Sequence, residues 1–217
     1  MLQDRTDQLD RMKAISDGVF SIAMTILVFN IKIPTAPKDQ VKLFWEEVAQ
    51  QIPSLIGFII SFLILGVMWI AHCRFVRHIR LVDRTILLRN HIFLLFVALV
   101  PVPSGILGAY PRLPGSYLLY SGIMVLMGMS QFFLWQTVLK KGFQTENTTP
   151  LLARYLSTRS LTVPIAFSVG FISALFTEYS MYAPLLIIPT MKIIERRFAK
   201  LADEEALEGK VIEPAID

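Results

Sequence analysis

Six apolar runs of near-bilayer length constrain this chain more than any other feature of it. They cover residues 18–33, 52–71, 92–109, 117–139, 161–176 and 179–191, and almost no charge falls inside them. A helix crossing the hydrocarbon layer needs about 20 such residues, with roughly 17 to 25 as the usual range. The first run is slightly short, and Pro184 and Pro189 interrupt the last. A strand in lipid would leave its edge unsatisfied, so helix is the remaining state. Ile-Met-Val-Leu-Met-Gly-Met at 123–129 also lacks the alternation that a barrel strand requires. The chain therefore reads as all-α and polytopic, with six transmembrane helices. A membrane domain over residues 15–198 is expected between an N-terminal tail at 1–14 and a C-terminal tail at 199–217. Composition agrees where it can decide: 18% of residues are charged, against about a quarter in a soluble domain. The single cysteine, Cys73, excludes a disulfide scaffold.

The basic residues assign a direction. Arg5, Arg11 and Lys13 precede the first run; Arg74, Arg77, Arg80, Arg84 and Arg89 fall between the second and third. Lys140, Lys141, Arg154 and Arg159 join the fourth to the fifth, and five more follow the sixth. Only Lys32, Lys38, Lys42 and Arg112 among the 21 lie on the other side. By the positive-inside rule both termini are cytoplasmic. The pI near 9.3 is then a topology signal, and no nucleic-acid partner is implied. A cleaved leader does not fit the first run. Asp4, Asp7, Asp10 and Asp17 accompany its basic residues, and Thr35-Ala36 is hemmed in by Pro34 and Pro37.

No constellation asks for catalysis. His72, His78 and His91 lack metal-ligand spacing, and no phosphate loop or nucleophile elbow is present. Neither an enzyme activity nor a cofactor is expected. The informative stretch runs from Arg11 through Ser16, Asp17 and Gly18 into the first apolar run. A carboxylate at a span entrance is costly unless paired or hydrogen-bonded. Ser16 or Asp17 as a simple helix cap is one reading. The other makes Asp17 a hub, because Trp69, His72 and Asn90 lie at a similar expected depth and could satisfy it.

Together, Arg11-x-x-x-Ile15-Ser16-Asp17-Gly18, Trp69-x-x-His72, Asn90 and Pro101-Val-Pro103-Ser resemble the signature of the transmembrane protein 175 family. Ile15 stands where that signature has Phe. The motifs cover the first three runs. The resemblance implies a prokaryotic single-repeat member: a homotetramer whose first helices line a central, potassium-selective pore in the plasma membrane. It further implies a constriction at Ile22, with Thr25 three residues later and Phe29 in an outer layer where the family usually has Leu. Periodicity agrees as far as it goes, since Ile22, Thr25, Ile26 and Phe29 share one helical stripe. Such a stripe could equally face lipid or a packed neighbour.

No Thr-Val-Gly-Tyr-Gly filter is present, so selectivity would have to come from narrowness. A ring of isoleucines strips water from the ion, and potassium holds its water less tightly than sodium. Thr25 hydroxyls beyond the ring would give a passing potassium ion transient oxygen contacts. The permeant monovalent cation, the lipid bilayer and further copies of the chain are the expected partners.

Arg74, Arg77, Arg80 and Arg84 recur at helical spacing, but follow the second run and read as its cytoplasmic extension, not as a voltage sensor. Asp4, Asp7 and Asp10, if helical, would ring an inner mouth with acid; a solvated tail is the plain alternative. Trp45, Tyr110, Tyr117, Tyr120, Tyr179 and Tyr182 read as interfacial anchors. The competing functional classes are a proton-coupled secondary transporter using Asp17 and His72, and an accessory membrane protein without a pore.

Overall fold

The computed structural model describes residues 2–176 and 187–211. It is helical, and among the described residues there is no strand. Helix α1 spans Leu2–Ile26 and tightens into a 3-10 turn at Leu27–Asn30. Helices α2 (Val41–Gln50) and α3 (Ile52–Val76) follow, then α4 (Arg84–Leu99) and α5 (Pro101–Ala109). Helices α6 (Pro114–Lys140), α7 (Pro150–Ser160), α8 (Thr162–Ser173) and α9 (Ile187–Val211) complete the order.

Among the described residues four segments are long and apolar enough to cross a bilayer: Asp7–Asn30, Val41–Val76, Arg84–Ala109 and Pro114–Lys140. Helix α8, with 12 residues, rises only about 18 Å at the α-helical pitch, short of the roughly 30 Å hydrocarbon layer. Residues 177–186, which hold most of the sixth run with Glu178, Tyr179, Tyr182 and Pro184, lie outside the described residues, as do 212–217. The described end of that run, from Ile187, opens the basic helix α9.

Local chemistry explains several boundaries. Asp83 accepts the Ile86 backbone N–H at 2.9 Å and starts α4, while Thr149 does the same for Leu152 in front of Pro150. Pro101 and Pro103 have no N–H to give, so the third run is two helices joined at Val100. The expected helical extension carrying all four arginines is not formed. Helix α3 stops at Val76, and Arg80 instead donates its backbone N–H to Phe143 at 2.8 Å. Thr145 returns a bond to His78 at 2.9 Å, so the two basic connections sit together at one end of the bundle.

Two clusters fill the interior. One, in the body of the bundle, gathers Phe20, Leu27, Leu65, Phe93, Tyr120 and Phe167. The other lies towards the basic end around Met12, Phe75, Ile86, Trp135 and Leu156. Tyr117 and Tyr120 belong to this interior, 4% and 2% exposed, and are not interfacial anchors. For Tyr120 the reason is chemical: Ser61 hydrogen-bonds it at 3.0 Å and Ser104 at 2.8 Å, giving that phenol a partner away from water. The Tyr117 hydroxyl, by contrast, is buried with no hydrogen-bond partner among the described residues. Trp45 and Tyr110 do stay exposed.

Candidate pore-lining face and its supports

Helix α1 begins at Leu2, so Ser16 and Asp17 sit in mid-helix and cap nothing. Residues 2–14, expected as a tail, continue the same helix into the first apolar run. Asp7 and Asp10 are exposed along it, and Asp10 pairs with Lys13 at 2.8 Å.

One face of α1 is consumed by the protomer. Met12, Ser16, Phe20, Ala23 and Leu27 are at most 2% exposed, spaced by threes and fours. The opposite face carries the predicted stripe. Ile22 is 59% exposed, Ile26 43% and Phe29 81%, and Thr25 is exposed beside them. Thr25 donates its hydroxyl proton to its own helix, to Ser21 O at 3.0 Å and Ile22 O at 2.9 Å. With the proton turned inward, the oxygen keeps its lone pairs for an outside donor or cation. Gly18 lies one turn before Ile22, and a side chain added there would meet nothing within 4 Å.

The polar residues behind this face form two separate links. Asp17 accepts the Trp69 indole N–H at 2.8 Å, tying α1 to α3. Ser16, fully buried, donates to Met12 O at 2.7 Å and accepts from Asn90 Nδ2 at 3.2 Å, tying α1 to α4. Neighbouring residues on a helix point about 100° apart, so Ser16 and Asp17 reach different partners. This is why the single hub expected around Asp17 is not formed.

His72 joins neither link. Its ring is 2% exposed and stacks on Phe93 at 4.9 Å, with Phe20 and Phe75 close by. Among the described residues neither ring nitrogen finds a hydrogen-bond partner, and no hydrogen bond or ion pair joins it to Asp17. A proton relay through that pair lacks its connection. Arg11 is exposed and stands outside both links.

Sequence reasoning missed two supports. The Ser104–Ser61–Tyr120 chain joins α5, α3 and α6 inside the bundle. Asn30, the amide at the end of the 3-10 turn and inside the first run, donates to Pro101 O at 2.9 Å. Their signal was present: polar side chains within apolar runs, which need partners there.

A polytopic helical membrane protein, whose first helix is anchored by polar links on one face and left bare on the other, is the class these features define. Comparison with known proteins gives the family. The profile described as endosomal/lysosomal potassium channel TMEM175 matches residues 11–101. A potassium channel of Streptomyces collinus is 34% identical over 177 residues, covering 77% of this chain and 84% of that one. The mouse endosomal/lysosomal proton channel TMEM175 is 30% identical over 152 residues, 65% of this chain but only 30% of its own length. In fold, the chain is similar to the crystal structure of a lysosomal potassium-selective channel TMEM175 homolog from Chamaesiphon minutus. The TM-score is 0.71 at 22% identity, over 88% of this chain and 98% of the other. The chain belongs to the TMEM175 family, a family of ion channels and not of enzymes.

Proposed function

We propose that this chain is a potassium-selective channel of a prokaryotic plasma membrane, formed by four copies that set the bare face of α1 around a shared axis. We count six spans per copy, with residues 161–176 as a fifth whose helix α8 is shorter than the hydrocarbon layer and 179–191 as the sixth. That even number puts both termini in the cytoplasm beside the paired basic connections. The observation that carries the reading is the exposure of Ile22, Thr25, Ile26 and Phe29 on a helix whose other face is fully buried. Lipid alone would not need that face to be punctuated by a threonine and flanked by exposed Gly18 and Ser21. Small residues there let neighbouring copies of α1 approach one another closely.

The mechanism follows from the side chains. Four Ile22 residues make a ring without ligands, so an entering ion sheds or compresses its hydration shell. Potassium gives up water at lower cost than sodium, which sets the sign of the selectivity. One turn on, four Thr25 oxygens with their lone pairs outward return part of the lost solvation. Small rotations of α1 then wet or dewet the isoleucine ring and gate the path. The Streptomyces relative, itself a potassium channel, supports the choice of ion. No cofactor enters this mechanism.

Recording from the full chain in planar bilayers, with potassium and sodium on opposite sides, tests it. Unitary currents and a reversal potential displaced towards potassium are expected. In Ile22→Asn the permeability ratio should collapse towards unity; an unchanged ratio removes Ile22 from the filter. Saturating coupled uptake without unitary events would instead favour a transporter.

A further inference from the structure

Helix α1 is supported at both ends of its bare face. Towards the basic end the supports are the signature links through Ser16 and Asp17. At the other end the support is Asn30. Between them Thr25 hydrogen-bonds only its own backbone. Beside the packing of Leu27, Asn30 is the side chain of the last stretch that bonds another element.

The 3-10 turn at Leu27–Asn30 distributes its side chains by 120° steps. Leu27 is fully buried, Asn30 three residues on returns to the same side and is half-buried, and Phe29 is 81% exposed. The Pro101 carbonyl can only accept, so the Asn30 amide must present its NH2 group there, at 2.9 Å. The other half of the amide lies against Gly105. A Cβ on Gly105 would stand 2.5 Å from Asn30 Oδ1 and 2.8 Å from Cγ, so the seat exists only because that position has no side chain.

The element that provides the seat is itself well fastened. A Cβ on Gly108 would come within 2.9 Å of Ser54 Cα, which marks the close approach of α5 to α3. Ser104 reaches Ser61 at 2.8 Å, and Ser61 reaches Tyr120 on α6 at 3.0 Å. The two prolines meanwhile separate α5 from α4. Helix α5 is thus a short bracket bound to α3 and α6, and Asn30 is the tooth that engages it.

We propose that Asn30, seated in the notch at Gly105 and bonded to the Pro101 carbonyl, is the positioning residue for the outer end of the pore. It sets the direction of the adjoining Phe29 and the tilt of α1 above Thr25. This rests on the pore reading given above.

Reconstituted full-length Asn30→Ala, Gly105→Ala and the double variant, each measured for assembly and single-channel behaviour, test the assignment. Asn30→Ala and Gly105→Ala should each lower open occupancy roughly fivefold, the population shift that one net hydrogen bond represents. Both should alter unitary conductance while potassium stays preferred, because the Ile22 ring is untouched. The double variant should match Asn30→Ala alone, since the three atoms nearest an alanine methyl at 105 all belong to the Asn30 amide. If Gly105→Ala fails to assemble, adding Asn30→Ala should restore assembly to the Asn30→Ala level.

Independent, additive losses in the double variant, or ordinary currents per assembled channel in both single variants, would overturn the proposal. Ile22→Asn, run alongside, separates the two readings. A changed permeability ratio there with silent Asn30 and Gly105 variants sinks only the positioning role. An unchanged ratio in Ile22→Asn removes Ile22 from the filter, and with it the pore reading on which the positioning role rests.

Discussion

The two faces of α1 differ little in apolarity and are used in opposite ways. Met12, Phe20, Ala23 and Leu27 disappear into the protomer, whereas Ile15, Ile22, Ile26 and Phe29 stay bare. In lipid, apolar character alone does not drive helices together, because the solvent is as oily as the side chains. What separates the faces is shape and hydrogen bonding. Phe20 packs 5.8 Å from Phe93 and 6.1 Å from His72, and Ser16 beside it bonds Asn90. The bare face offers no bond to another helix of the same copy, as Thr25 illustrates by bonding to its own backbone. Specific contacts mark the side that belongs to the protomer, and their absence marks the side that we propose serves assembly and ions.

The strongest way to break this comparison is to truncate one aromatic on each face. Phe20→Ala opens a cavity in the packed core and should destabilise the fold by about 3–5 kcal/mol, the usual range for such a deletion. Phe29→Ala should leave protomer stability within about 0.5 kcal/mol, as exposed substitutions generally do, while changing conductance. Thermal melting of the purified proteins, paired with bilayer recording, checks both; equal melting losses would erase the distinction between the faces.

A smaller effect is expected at the Asp17 link. Asp17→Ala strands the Trp69 indole N–H and should destabilise the assembled protein by about 1 kcal/mol. Asp17→Asn retains an acceptor oxygen and should recover most of that loss. If the asparagine variant melts as early as the alanine one, charge and not the hydrogen bond holds α1 to α3.

The smallest effect concerns Asp83, outside the spanning segments and bonded to Lys141. Burial alone would raise its pKa, but the Lys141 hydrogen bond and charge, with the Ile86 and Thr85 backbone, hold it below the ordinary 3.8. A lowered folded-state value contributes stability above the unfolded pKa and loses it as pH falls through the folded one. The pair is about a third exposed on each side, so its worth is at most about 1 kcal/mol. The melting difference between wild type and Asp83→Asn should be flat above about pH 5 and close below about pH 4. A difference that grows with acidification would reverse the assignment.

Much of the arrangement was legible beforehand, for reasons that can be named. The spans around residues 52–71 and 117–139 follow from length and lack of charge, since helix is the only state that satisfies the backbone in lipid. The stripe on α1 followed from its period. Other features were not legible. Hydropathy does not register that Asp83 caps α4, so the arginine series looked continuous when it spans a helix end, a paired loop and a new helix. Tyr120 looked interfacial because a buried phenol depends on a partner from elsewhere, here Ser61.

The sequence by itself determined that this chain is a helical membrane protein of the TMEM175 family, because bilayer-length apolar runs and the motif around Ser16, Asp17 and Gly18 are local properties. The tertiary structure decided which partner each polar group takes. Two adjacent residues on one helix point to different neighbours, so Asp17 meets Trp69, Ser16 meets Asn90, and His72 is left among phenylalanine rings. It also decided that the end of α1 rests on Pro101 and Gly105, more than seventy residues away in sequence. Such pairings depend on distances between helices, which no single helix contains.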